Sequence, residues 1–171
     1  MQKKLPKIIT QEEFEKVLAA TKKKEHKLAF MLAFEAGMRL SEIVGYQDKV
    51  PRLQKSQIDS QQNTIRIISG KGGKDRVVPL PRRVNATAIK MLPLKVSRRT
   101  LQMKATEMGQ KVLGKHITFH TFRHGFGSHM AGMGRPLHEI QMLMGHSRLD
   151  TTGIYLHANP IQALQGARDV F

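Results

Sequence analysis

Apolar residues recur at helical spacing through most of this chain and alternate clearly in one short stretch. Thr10 followed by Glu13 forms a capping-box pattern, which predicts an amphipathic helix carrying Phe14, Val17 and Leu18 on one face. A second helix is predicted over 25–36, with Leu28, Met31, Leu32 and Glu35 at helical spacing and Gly37 as its C-terminal cap. Ser41 and Glu42 open a short third helix that ends near Gly45. Residues 46–63 are polar and irregular, contain Pro51, and are expected to be a loop. TIRIIS (64–69) alternates and is rich in β-branched residues; with the GKGGK turn (70–74) and DRVVPL (75–80) it predicts a β-hairpin with a basic tip. Helices are predicted over 82–91, over 98–113 behind Ser97, from Thr118 to about residue 131, from Pro136 to about residue 144, and over 149–158. The tail from Pro160 carries Ile161, Leu164, Val170 and Phe171. The fold class expected is α+β, mainly α-helical, with a small antiparallel β-sheet.

Composition narrows the partners. The 171 residues suffice for one core. Twenty-nine Lys and Arg against 13 Asp and Glu give a net charge of +16, which favours a polyanion, because neutralising phosphates releases counterions. There is no cysteine, so disulfides and thiolate metal sites are excluded. The longest apolar run, LAFMLAF (28–34), is far too short to span a bilayer, and the basic start MQKKLPK has no apolar stretch behind it. No membrane partner and a cytoplasmic location are therefore expected.

One ladder of residues carries chemistry. His120 is followed three residues later by Arg123, then after twenty-three by His146 and after nine by Tyr155, in HTFRHGFGSHM (120–130) and LMGHSRLDTTGIYLH (143–157). A hydroxyl nucleophile, two imidazoles and a guanidinium suit phosphoryl transfer without a metal. The nonbridging oxygens need fixed positive donors, the nucleophile must lose a proton, and the leaving oxygen must gain one. Arginine meets the first need with its planar, permanently charged fork. Each residue alone has a plainer reading: Arg39 a surface arginine beside a helix cap, Lys71 a solvated turn lysine, Tyr155 a core tyrosine. His120 and His124, four apart, could face a metal together, but no carboxylate or cysteine nearby completes a set, so no metal is expected. GKGGK is not a P-loop, since Asp75 follows Lys74 and a strand comes next.

GMRLSEI (37–43), SGKGGKDRVVPL (69–80), HTFRHGFGSHM and LMGHSRLDTTGIY together resemble the catalytic domain of the tyrosine recombinase, or phage integrase, family, and are similar to its Xer-type members. The resemblance runs from about residue 8 to residue 158. It implies site-specific DNA cleavage and rejoining through a 3′-phosphotyrosyl intermediate, with no cofactor. Arg39 would be the first phosphate-clamping arginine and Lys71 the general acid for the leaving 5′ oxygen, with Lys74 a rival in that role. His120 would accept a proton, Arg123 would be the second clamp, His146 a further donor to the scissile phosphate, and Tyr155 the nucleophile. Lys74, Arg76, Arg98, Arg99 and Lys104 are expected to track the DNA backbone. The partner implied is double-stranded DNA, with a homo-tetramer on paired sites and a monomer without DNA.

The domain organisation expected is an N-terminal arm (1–9), a catalytic domain (10–159) and a C-terminal tail (160–171) that packs on its own protomer or on a neighbour. The N-terminal helical domain of most family members is expected to be absent. Against the family pattern, the loop around YQDKVPRL (46–53) is long and the stretch from the hairpin to His120 is short. Two other functions share these features: strand relaxation of the type IB topoisomerase kind, and non-catalytic DNA binding by the same fold.

Overall fold

The computed structural model describes residues 8–68 and 75–145. The expected hairpin tip with Lys71 and Lys74, the segment with His146 and Tyr155, and the tail lie outside the described residues.

Helix α1 (Gln11–Ala20) begins with the capping box read from the sequence: the Thr10 hydroxyl accepts from the Glu13 N–H, and the Glu13 carboxylate accepts from the Thr10 N–H. Helix α2 (Lys24–Glu35) differs from a one-faced amphipathic helix. Its residues from Leu28 to Phe34 are all buried, so it runs through the middle of the core with neighbours on every side. It packs along α6 (Phe119–Gly132), while α1 packs along α5 (Arg98–Leu113). Aromatic rings fill the centre. Phe14 stacks on Phe34 with ring centroids 4.1 Å apart, and Phe122 meets Phe14, Phe30 and Phe119 at 5.8, 5.0 and 5.8 Å.

The strand region holds more pairing than expected. After α3 (Leu40–Val44), the segment read as irregular contains strands β1 (Gly45–Tyr46) and β2 (Val50–Arg52), which pair antiparallel, and β3 (Ile58–Asp59). β3 adds to the expected hairpin of β4 (Thr64–Ile67) and β5 (Arg76–Pro79), giving a three-stranded antiparallel sheet in the order β3-β4-β5. Strands of two or three residues are too short to show a period of two, which is why the sequence pattern hides them. Pro51 sits in β2, whose partner among the described strands is β1 alone; an edge tolerates the missing N–H.

The helix expected over 82–91 is shorter, α4 (Ala86–Lys90), because Asn85 caps it by accepting from the Ala88 N–H, and the Pro81 carbonyl closes a turn onto the Val84 N–H before it. α5 runs from behind Ser97 to Leu113, as predicted, and left-handed Gly114 caps its end. α6 is followed by α7 (Leu137–Met144), and Phe126, Ile140 and Met144 form a second small core between them.

This packing brings four chain segments to one place. Gly37 turns the chain out of α2 with φ of +62°, and a Cβ there would stand 2.6 Å from the Phe126 ring. The turn buries Met38 and delivers Arg39 to the start of α3. β5, α6 and the end of α7 arrive at the same point.

Because Phe122 joins three other rings at the centre, Phe122→Ala is expected to lower unfolding stability by about 3–5 kcal/mol. Urea denaturation followed by circular dichroism measures the change, and a loss below about 1 kcal/mol would show that the ring cluster does not hold the core.

Candidate active site

A buried carboxylate organises the site. Glu42, three residues after Arg39 on the first turn of α3, has a side chain only 2% exposed. Its Oε2 accepts from the Arg39 backbone N–H at 2.7 Å and its Oε1 from Arg39 Nη1 at 2.9 Å. Arg76, from β5, forks onto the same carboxylate: Nη1 to Oε1 at 2.7 Å and Nη2 to Oε2 at 2.8 Å. Each oxygen therefore accepts twice. Burial pushes the Glu42 carboxyl up, but the Arg76 hydrogen bonds and charge, followed by Arg39, more than offset this and hold it down at about 2.

The guanidiniums that meet this carboxylate also reach the end of α7. Arg39 Nη2 donates to the Gly145 carbonyl at 2.9 Å, and Arg76 Nε donates to the Leu143 carbonyl at 2.8 Å. Arg123, from α6, donates through Nη2 to the Met144 carbonyl and through Nη1 to the Gly37 carbonyl. Three successive carbonyls, at 143, 144 and 145, thus receive three arginines from different elements. These are orphan acceptors at the negative end of a helix, where cations are favoured. Gly145 adopts φ of +59°, and a Cβ there would lie 2.9 Å from Arg76 Cδ, so both the turn and the close approach require glycine.

His120 lies exposed on the first turn of α6, one turn before Arg123, which is buried. His124 is half-buried; burial, then the positive neighbours His120 and Arg123, push its imidazole below the ordinary range. Among the described residues, no group of three or more His, Cys, Asp or Glu could hold a metal ion.

Of the residues expected in catalysis, Arg39 and Arg123 reach the same helix end and His120 lies one turn before Arg123 on α6; Lys71, His146 and Tyr155 fall outside the described residues. Arg76 departs from its expected role as a surface contact to DNA. Its side chain is 7% exposed and its fork is closed on Glu42. Arg98 and Arg99 are exposed at the start of α5, with the Arg98 guanidinium 4.4 Å from the centroid of the Tyr46 ring, and Lys104 pairs with Glu107 on the same helix. Glu42 was missed by reading for chemistry. Its signal was present as a carboxylate three residues into a helix whose first cap is an arginine.

The model of the phage integrase family matches residues 7–93 and 91–161, so the chain belongs to the phage integrase family. Tyrosine recombinase XerA of Thermococcus onnurineus (strain NA1) is 34% identical over 173 residues, which cover 90% of this chain and 58% of the relative. Tyrosine recombinase XerC of Haemophilus influenzae (strain PittEE) is 31% identical over 180 residues, covering 92% of this chain and 58% of the relative. The chain therefore spans less than two thirds of the length of these curated relatives. In fold it is similar to the crystal structure of XerA recombinase, with a TM-score of 0.72 at 21% identity over 98% of this chain and 64% of that one. It is also similar to the catalytic domain of bacteriophage HP1 integrase, with a TM-score of 0.63 at 21% identity over 94% of this chain and 93% of that one.

A carboxyl held below its unfolded value stabilises the fold fully above that value and ceases to do so as pH falls through the folded one. For Glu42 the window runs from about pH 4.5 down to about 2. The contribution above it is about 3 kcal/mol. Glu42→Gln is expected to flatten this part of the pH–stability curve. It should also cost about 3–5 kcal/mol at pH 7, because buried guanidiniums lose their counter-charge. Urea midpoints across pH 2–7 check both effects, and an unchanged acid slope in the variant would refute the assignment.

Proposed function

We propose that this chain is the catalytic domain of a site-specific DNA recombinase or integrase, which cleaves and rejoins strands through a 3′-phosphotyrosyl intermediate. The observation that carries the reading is the convergence of Arg39 and Arg123. They come from α3 and α6, eighty-four positions apart (123 − 39), yet donate to the adjacent carbonyls of Gly145 and Met144. Two guanidiniums fixed at one turn, with His120 on the helix that carries one of them, form a preorganised receptor for a phosphodiester. The next residue in the chain is His146, and Tyr155 follows nine later.

In the proposed reaction the Tyr155 hydroxyl loses its proton to His120 and its oxygen attacks phosphorus. The bond to the 5′ oxygen breaks, and that oxygen takes a proton from Lys71, with Lys74 the alternative donor. Arg39, Arg123 and His146 hold the nonbridging oxygens as charge builds on them. The 5′ hydroxyl of a second strand then attacks the phosphotyrosine, the bond to Tyr155 breaks, and a phosphodiester is restored. The covalent intermediate conserves the bond energy, so the cycle needs no nucleotide hydrolysis.

Double-stranded DNA is the proposed substrate, and the net charge of +16 supplies the sequence-independent part of its affinity. Two structural relatives support it. XerH site-specific recombinase is described bound to difH substrate, and Tn1549 transposon integrase in complex with a circular intermediate DNA. Exposed Arg98 and Arg99, with Lys104, are proposed to follow the phosphate backbone. A homo-tetramer on paired sites, a monomer without DNA, and a cytoplasmic, nucleoid-associated location complete the reading. Among the described residues, no helix is long and apolar enough to cross a membrane.

Tyr155→Phe is expected to abolish covalent capture of a nicked suicide substrate and leave DNA binding largely intact. Denaturing gels for the adduct and mobility shifts for binding make the test, and undiminished adduct would remove Tyr155 from its role. Arg123→Lys should slow cleavage by roughly 10²-fold or more and binding far less, since a point charge does not replace a bidentate donor. Equal losses in both would reduce Arg123 to a binding residue.

A further inference from the structure

We propose that Arg76 is a positioning residue for strand cleavage: by forking onto Glu42 and closing on the Leu143 carbonyl, it fixes Arg39 and the last turn of α7 in one frame. The inference rests on the reading of Arg39 as a phosphate clamp.

The geometry separates Arg76 from the surface arginines. Its Nη1, Nη2 and Nε all donate within the protein, at 2.7, 2.8 and 2.8 Å. The two terminal nitrogens are matched to two carboxylate oxygens, and the third donates to a helix end; a lysine, with one nitrogen on a flexible stem, cannot reproduce that fork. Arg76 is also the first residue of β5 and pairs across the hairpin with Ile67. It therefore ties β5, which follows Lys71 in the sequence, to the helix end that precedes His146. Glu42, held from the Arg76 side, holds Arg39 through both its backbone N–H and its guanidinium. A shift of Arg76 moves the carboxylate, and a shift of the carboxylate moves the clamp.

Two plainer roles make different demands. A DNA-contacting arginine would lose binding when removed. A merely stabilising one would lower the melting temperature and leave the cleavage rate of the folded fraction unchanged. A positioning residue slows cleavage at saturating DNA. It also changes the pH dependence, because Glu42 must stay ionised for Arg39 to be held. The charged groups acting on Glu42 are Arg76 from β5 and Arg39 from its own helix cap. Without Arg76, burial acts against Arg39 alone, and the carboxyl takes up a proton at higher pH.

The experiment measures covalent adduct formation on a nicked suicide substrate at saturating DNA, from pH 5 to 9, for wild type, Arg76→Gln and Arg76→Lys. Melting curves and mobility shifts are run alongside. The expected result is a loss of adduct rate in Arg76→Gln on the order of 10²-fold, as a misplacement of about 1 Å carries, with DNA affinity nearly unchanged. The ratio of variant to wild-type rate should fall further as pH drops toward 5. Should Arg76→Gln not fold, Arg76→Lys carries the test, with a smaller rate loss at retained affinity. An unchanged saturated rate in folded variant overturns the proposal, as does a pH-independent ratio with affinity falling in step. Failure of wild type itself to form an adduct would instead overturn the functional reading, and the positioning role with it.

Discussion

Glu42 is a carboxylate almost wholly removed from water, and everything around it in the site is arranged to make that tolerable. Desolvating a charge of this size costs several kcal/mol, which one surface-like ion pair would not offset. Here each oxygen accepts two hydrogen bonds, from the backbone and guanidinium of Arg39 and from both arms of Arg76. The attraction is strong because the medium is poor in water, and the geometry is fixed because the donors come from different elements. One carboxylate thereby decides where two guanidiniums stand.

The end of α7 is the second half of the same frame. Its last carbonyls point out of the helix without intrahelical partners, and Leu143, Met144 and Gly145 each receive an arginine. A helix terminus of this kind is a satisfied joint between elements rather than a frayed end. It also lets Arg123 reach back to Gly37 at the end of α2, so that helices α2, α6 and α7 meet through one side chain. The glycines at 37 and 145 follow from this closeness: both have positive φ, and at both a Cβ would collide with a ring or an arginine stem.

How much of this was legible in the sequence follows the physics of each signal. Caps read well, because Thr10, Ser97 and Thr118 act on neighbours three residues away. The start of α1 and both ends of α5 and α6 were therefore placed to within about a residue. The short strands β1, β2 and β3 were not, since their existence depends on partners rather than on their own pattern. Arg39 and Arg123 were legible from motif resemblance, and the structure adds that they share one helix end. Arg76 was read as a contact to the DNA backbone because charge in a basic stretch of sequence looks alike whether it points out or in; in the structure it is buried against Glu42. Only the long-range pairing with Glu42, thirty-four positions away, distinguishes the two.

That distinction divides the cations of this chain into two populations with different work. Arg98 and Arg99 are exposed, so their charge is felt through water and salt over a Debye length or so, and on the proposed function they would raise the chance of encounter with a polyanion. Arg39 and Arg76 act in a poorly hydrated space, where two guanidiniums meet the one carboxylate of Glu42, and Arg123 stands at the same helix end. One carboxylate fixes two guanidiniums, so among these three groups the positive charge is not cancelled. An anion that enters meets donors already oriented and does not have to reorganise them, which is where electrostatic catalysis gains over the same groups in water. On the proposed function, the buried carboxylate, which by sign alone would repel a phosphate, is thus the group that holds the arginines ready for one.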